Sequence, residues 1–272
     1  MPSYEMPKRE QNSNKGTFGK VLNVAGSVNY IGAAYLSTVS TLKIGAGFVG
    51  LSSYEKVIDS VSKLLPEAVY LSRHNAYKNI KNYTVLLIGC GLGTDWKAKR
   101  DFKNFISIAK KENIPTIIDA DGLNILAENK NIKLPKNTII TPHPMEAARL
   151  LDFTLDNVLK DTENSAKLLS RKYNCVVVLK THRTIICEDE NVFVNQHGNS
   201  ALAKAGTGDV LAGIITGLVA QKMSLFNASK LGVYIHSRAG EIASEDLTEY
   251  SVLASDLIKY IPNVIKEISP QK

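Results

Sequence analysis

Apolar residues along this chain come in two rhythms. Short unbroken runs at 21–25, 48–52, 84–88, 116–119, 138–141 and 175–179 have the length of strands buried on both faces. Between and after them lie stretches with helical spacing: 31–44, 97–111, a short one after Glu146, 155–173, the run from Val210 to Val219, 225–244 and 252–268. Residues 66–72 read as a short edge element. Residues 185–187 and 192–194 read as a hairpin, with turn residues between them. Such a hairpin either covers a nucleotide base or braces the sheet edge. Repeated strand–helix alternation predicts one α/β domain over residues 1–272, with a mainly parallel central sheet and helices on both faces. Residues 1–14 form an N-terminal arm, either poorly ordered or docked.

Composition narrows the class only a little. With 44% hydrophobic and 22% charged residues the chain is ordinary for a globular protein. A net charge of +7 suits an anionic ligand such as a nucleotide, and equally a lysine-rich solvated surface. No basic run interleaved with aromatics is present, which argues against nucleic acid. The polar N-terminus lacks a signal-peptide core, and the apolar runs are too short to span a bilayer. Cys90, Cys175 and Cys187 include no CxxC pair and read as buried free thiols. A cytoplasmic protein without membrane contact is the expectation.

The chemistry concentrates in residues 195–217. Lys204-Ala205-Gly206-Thr207-Gly208-Asp209 is small and glycine-rich and runs straight into an apolar helix. Glycines let the backbone approach a ligand, and a helix start offers unpartnered N–H groups plus the positive end of the dipole. A carboxylate beside such an anion cradle is electrostatically awkward. It makes sense if Asp209 takes the proton from a hydroxyl that attacks a phosphate. The plainer alternative is a first-turn Asp that favours the dipole behind a simple Gly-Thr-Gly turn. The long loop around Asn199 and Lys204 has no apolar pattern, so packing does not explain it.

Other loops at strand exits add candidates. Gly89-Cys90-Gly91-Leu92-Gly93 follows a buried strand, where open α/β sheets carry ligands. Asp119 ends the next strand, whereas turn and cap chemistry accounts for Asp121. His143 lies between Pro142 and Pro144, whose fixed φ angles would aim it reproducibly, so a ligand contact is favoured over a structural role. Gly45-Ala46-Gly47-Phe48-Val49-Gly50 spells the dinucleotide fingerprint but closes a helix and opens a strand, the reverse of the required context. It reads instead as a helix C-cap and turn. No Walker A pattern exists.

Taken together, KGTFGKVLNVAGS, GCGLGTD, DADGLN, TPHPMEAARL, VVVLK and GNSALAKAGTGDVLAGI resemble the ADP/ATP-dependent NAD(P)H-hydrate dehydratases of the ribokinase-like superfamily, in order and from about Lys15 onward. With nothing preceding the domain, the chain looks like the stand-alone bacterial form. The resemblance implies a ribokinase-like three-layer sandwich. It also implies a repair reaction. The S-epimer of hydrated NADH or NADPH is phosphorylated on its ring hydroxyl from ADP, with ATP the less favoured donor, and loses phosphate to restore the ring.

By the same resemblance Asp209 matches the general base and contacts the hydrated nicotinamide. Ala33, Ala34, Gly91, Gly93 and His143 align with substrate contacts. Lys180, Thr181, His182, Arg183 and Thr184 align with the adenosine-nucleotide segment. Asn199, Lys204, Gly206, Thr207 and Gly208 align with the phosphate loop. Mg²⁺ is implied with the nucleotide, held mostly by phosphates and waters, with Glu146 or Asp119 orienting that shell and no firm protein ligand. A homotetramer is implied as well. Thr181 and Met145 stand where the family usually has glycine, which touches donor preference and fine geometry.

Two rival readings remain at this level. A ribokinase-like kinase of a small hydroxylated metabolite would use the same Asp209 and release a stable phosphorylated product. A nucleotide-binding regulator would bind without turnover.

Overall fold

The computed structural model describes residues 4–269. Nine strands form one sheet in the order β3-β2-β1-β4-β5-β6-β7-β8-β9. They are β1 (Lys20–Val24), β2 (Phe48–Ser52), β3 (Val69–Leu71), β4 (Val85–Ile88), β5 (Thr116–Ile118), β6 (Thr138–Ile140), β7 (Val176–Leu179), β8 (Ile185–Glu188) and β9 (Asn191–Val194). Pairing is parallel from β3 through β7 and antiparallel at β7–β8–β9. The expected edge element is β3, which pairs with β2 alone, and the expected hairpin braces the opposite edge.

Helices cover both faces, as the strand–helix alternation requires. One layer holds α1 (Ile31–Lys43), α2 (Glu55–Ser62), α9 (Thr207–Ala220), α10 (Leu225–Ser251) and α11 (Ala254–Ile268). The other holds α3 (Arg73–Asn79), α4 (Trp96–Lys111), α5 (Asp121–Glu128), α6 (Pro144–Leu151), α7 (Leu155–Lys160) and α8 (Thr162–Tyr173). Successive strand side chains divide between the layers: Val21 faces the first, Leu22 and Val24 the second. The three-layer α/β/α architecture is the one expected.

The centre of the first layer is α9, apolar all round and buried over nearly its whole length. It lies so close to α1 that a Cβ at Gly213 would collide with the Ser40 hydroxyl and the Ser37 carbonyl. The Thr41 hydroxyl donates to the Gly213 carbonyl at 3.1 Å, so the close crossing also carries a polar tie.

Three boundaries differ from the sequence pattern. Residues 155–173 form two helices, because Asp161 ends α7 and caps α8 through its carboxylate on the Asn164 amide. Residues 55–62 and 73–79 form two further helices beside the edge strand. The helix from Leu225 extends past Ser244 to Ser251 and kinks at Thr248 (φ 65°). Of the N-terminal arm, residues 4–14 are docked: Tyr4 stacks on Tyr234 at 3.9 Å and Arg9 donates to the Gly45 carbonyl at 3.1 Å. Residues 1–3 of the arm lie outside the described residues. Among those described, no helix is long and apolar enough to cross a membrane.

Candidate active site

Parallel strands β4 to β7 deliver their last residues to one rim of the sheet, and the start of α9 meets them there. Cys90, Asp119, Thr141 and Lys180 each lie one or two residues beyond a strand end. Asp119 is buried and accepts from the Thr141 hydroxyl and the Lys180 ammonium, both at 2.7 Å on the same oxygen. The Cys90 thiol faces its other oxygen at 3.9 Å. Ligand-type atoms of Cys90, Asp119 and Asp209 all lie within 4.8 Å of one another.

The electrostatics follow from that crowding. Burial pushes the Asp209 carboxyl up to about 7, and the Asp119 charge adds to the effect. Burial alone would lower Lys180, but Asp119 and Glu146 outweigh it and hold the ammonium up to about 12. Burial and its two carboxylate neighbours, Asp209 and then Asp119, push Cys90 well above the usual thiol range, so it is a thiol rather than a thiolate.

Backbone strain marks the same rim. Ala120, between Asp119 and Asp121, has φ 48° and ψ −119°, costly for a residue with a Cβ. It is held by the Gly122 amide donating to the Asp119 carbonyl at 3.0 Å and the Leu123 amide to Ala120 at 2.9 Å.

Gly206 caps α9 in the left-handed region, at φ 90°. Among the described residues the Gly208 and Asp209 amides have no hydrogen-bond acceptor, as expected of a helix start. A Cβ at Gly208 would lie 3.4 Å from the Lys180 ammonium and 3.8 Å from Asp119. The open amides, the helix dipole and a lysine charge thus converge on the space above Gly208, with Asp209 beside it. That arrangement can seat an anion and accept a proton next to it.

A cavity of about 640 Å³ opens from this point. Of the residues matched to nucleotide contacts, Lys180, Thr181, His182, Thr184, Asn199, Thr207 and Gly208 line it. The other three do not. Arg183 turns to the Gln196 side chain, and Gly206 is packed against Leu36 and Ala254. Lys204 reaches the Tyr250 carbonyl at the far end of α10, so its charge lies away from the cavity.

Two of the lining residues have their polar atoms engaged locally. Thr207 donates its hydroxyl to the Leu202 and Lys204 carbonyls, at 2.8 and 2.9 Å. Asn199 caps the turn at Ser200–Leu202 and donates to the Ser244 hydroxyl at 3.0 Å.

On the other side of Asp209 lie the residues matched to substrate. Gly91 abuts the start of α1, where a Cβ would meet Tyr30 and Ala33 at 2.6 and 2.7 Å. The Gly93 amide donates to Asp121 at 2.8 Å. Ala34, also matched to substrate, is fully buried beneath Gly26.

His143 and Glu146 form a capping box on α6. The ring Nδ1 accepts from the Met145 and Glu146 amides at 3.2 Å, and Glu146 accepts from the His143 amide at 2.8 Å. Burial and the Lys180 charge lower the His143 pKa, so the half-exposed ring is neutral, with its Nε2 3.4 Å from the Glu146 carboxylate. Burial pushes Glu146 up to about 7.

Among the described residues the ligand-type atoms that meet here are those of Cys90, Asp119 and Asp209, a poor cage for Mg²⁺. Asp119 is committed to Lys180 and Thr141, Glu146 to a backbone amide, and a Cys90 thiol suits a hard cation poorly.

Sequence reasoning missed the residues of α10 that line the cavity: Val233, His236 and Ser237. Burial lowers His236 to about 4, leaving a neutral ring whose Nε2 donates to the Thr207 carbonyl at 2.9 Å. The histidine thereby braces the first turn of α9. Nothing in the local pattern of α10 distinguishes it from an ordinary core position. A larger crevice of about 890 Å³ lies at the opposite rim, near Gly19, Thr84, Pro115 and Cys175, and takes no part in this site.

The family model for NAD(P)H-hydrate dehydratase matches residues 21–263. An ADP-dependent (S)-NAD(P)H-hydrate dehydratase of Listeria monocytogenes is 32% identical over 97% of this chain and 94% of its own. The structure of the Bacillus subtilis ADP/ATP-dependent NAD(P)H-hydrate dehydratase, co-crystallized with ATP/Mg²⁺, superposes with TM-score 0.85 at 30% identity, covering 97% of this chain and 94% of that one. A ribokinase-like superfamily protein of Enterococcus faecalis gives 0.88 at 29%, covering 97% and 92%. The chain spans about half the length of the bifunctional NAD(P)H-hydrate repair enzymes it also matches.

Proposed function

Because the chain belongs to the NAD(P)H-hydrate dehydratase family, we propose that it returns the S-epimer of hydrated NADH or NADPH to the reduced cofactor, using ADP in preference to ATP. Asp209 takes the proton of the ring hydroxyl as its oxygen attacks the terminal phosphorus of ADP, and AMP leaves. Cleavage of the new ring C–O bond then expels inorganic phosphate. Loss of a ring proton restores the double bond.

One observation carries this reading. A carboxyl raised to about 7 stands beside two open helix amides and a lysine ammonium, at the mouth of a nucleotide-sized cavity. A general base works best with a pKa near the working pH, and fixed donors stabilise the charge on a transferring phosphoryl group. Lys180 and the Gly208 and Asp209 amides receive the phosphates. The adenosine lies along Thr181, His182, Thr184 and the loop at Asn199. His143 and the loop from Gly91 to Gly93 contact the hydrated ring. Mg²⁺, when bound, would offset phosphate charge and be held mainly by the nucleotide and water. A homotetramer belongs to the same reading.

The test is product analysis. Hydrated NADH and ADP should yield NADH, AMP and phosphate in equal amounts. Accumulation of a stable phosphorylated dinucleotide would refute the elimination step. The small-alcohol kinase alternative is not favoured by the matched relatives.

A further inference from the structure

The proposed substrate is a dinucleotide, and the cavity at Lys180 is taken by the phosphoryl donor. The remote nucleotide of the substrate therefore needs its own surface. One leads directly away from Gly93 and His143. The Gly93 amide is tied to Asp121 in the first turn of α5, and Asn124 follows one turn later. Opposite, α6 begins immediately after His143 and carries Met145 and, one turn on, Arg149. Between the two helices runs a groove of about 620 Å³, lined by Thr94, Asn124, Met145, Arg149 and Phe153.

Its chemistry is that of a nucleotide subsite. Met145, in the first turn of α6, and Phe153, just past its end, are 39% and 42% exposed and give the groove apolar walls on either side of Arg149. Arg149 is aimed by the Asn124 side-chain oxygen at 2.8 Å and makes no ion pair among the described residues. The two carboxylates on the rim are already neutralised: Glu128 by Lys99 at 2.6 Å and Asp152 by Lys130 at 2.8 Å. The groove is left with a net positive charge, complementary to a phosphate diester. Few polar groups on apolar walls, with one cation to fix orientation, is the usual make-up of a small-molecule site.

We propose that the α5–α6 groove holds the distal nucleotide of the hydrated dinucleotide, with Arg149 on its pyrophosphate, and Met145 and Phe153 as the apolar walls on either side. This rests on the dehydratase reading above. It makes Arg149 and Met145 determinants of substrate affinity that do not touch the reacting ring.

The experiment compares wild type, Arg149→Ala and Met145→Asp on two substrates at saturating ADP: hydrated NADH and the hydrated form of reduced nicotinamide mononucleotide, which lacks the distal nucleotide. Both variants should raise KM for the dinucleotide about tenfold, the scale of one charge-assisted contact, with kcat nearly unchanged. Neither should alter KM for the mononucleotide. Equal effects on both substrates, or none, would overturn the subsite while leaving the dehydratase intact. A change in oligomeric state of Met145→Asp with KM unchanged would assign the groove to contact between copies, which also overturns it. Wild type inert on both substrates would remove the dehydratase reading itself, and the subsite with it.

Discussion

Replacing Asp209 by Asn should make the protein more stable, and only above a particular pH. The carboxyl sits at about 7 in the folded chain against an ordinary value of 3.8, because it is buried and faces Asp119. A folded-state pKa raised above the unfolded one means that the native state holds the proton longer. Stability therefore falls as pH rises from about 4 to about 7, and the full cost stands above that. Three pKa units correspond to a ceiling of about 4 kcal/mol, and screening at this partly exposed carboxyl reduces it to about 1–2 kcal/mol. Asparagine keeps the shape and removes the charge. Asp209→Asn should gain about 1–2 kcal/mol at pH 8, a few degrees in Tm, and nothing near pH 4. Glu146, also raised to about 7, is common to both proteins and cancels in the comparison. Urea unfolding of both proteins across that range measures the difference. A gain of the same size at every pH, or a loss at pH 8, would refute a charge-burial origin.

Four further outcomes follow from the same geometry. A Cβ at Gly208 finds 3.4 Å of room, so Gly208→Ala should fold with an unchanged Tm yet lose more than roughly tenfold in activity by crowding the phosphate seat. Gly213→Ala should behave oppositely, costing about 2–3 kcal/mol or more in denaturant titrations, because the α1 backbone cannot move away. Lys180→Met strips a buried carboxylate of its cation and should cost about 3 kcal/mol in urea unfolding, with ADP binding by calorimetry lost. The kcat/KM profile should rise with pH through about 7 as Asp209 loses its proton, and Asp119→Asn should move that limb to lower pH.

How much was legible depended on distance along the chain. The strand runs and the Gly206–Asp209 helix start are local patterns, and both are found in the fold. The split at Asp161 is invisible in the sequence, because one capping residue interrupts a stretch whose apolar spacing continues across it. Cys90 reads from sequence only as a buried free thiol in a glycine loop, since its neighbourhood with Asp119, Lys180 and Asp209 exists only once three strand ends and a helix meet. The partner of Lys204 is hidden for the same reason. Its place in a phosphate-loop pattern says nothing of the Tyr250 carbonyl, 46 residues on, that takes its ammonium. His236, which steadies α9 from another helix, leaves no trace in its own segment.

The most direct test of the whole account is the near-ultraviolet absorbance of reduced nicotinamide, followed after wild type or Asp209→Asn is added to hydrated NADH, ADP and Mg²⁺. The account predicts recovery of that absorbance with ADP consumed by wild type, and a flat trace from a variant that still folds and binds ADP. A flat trace from wild type, or full recovery by the variant, would contradict it.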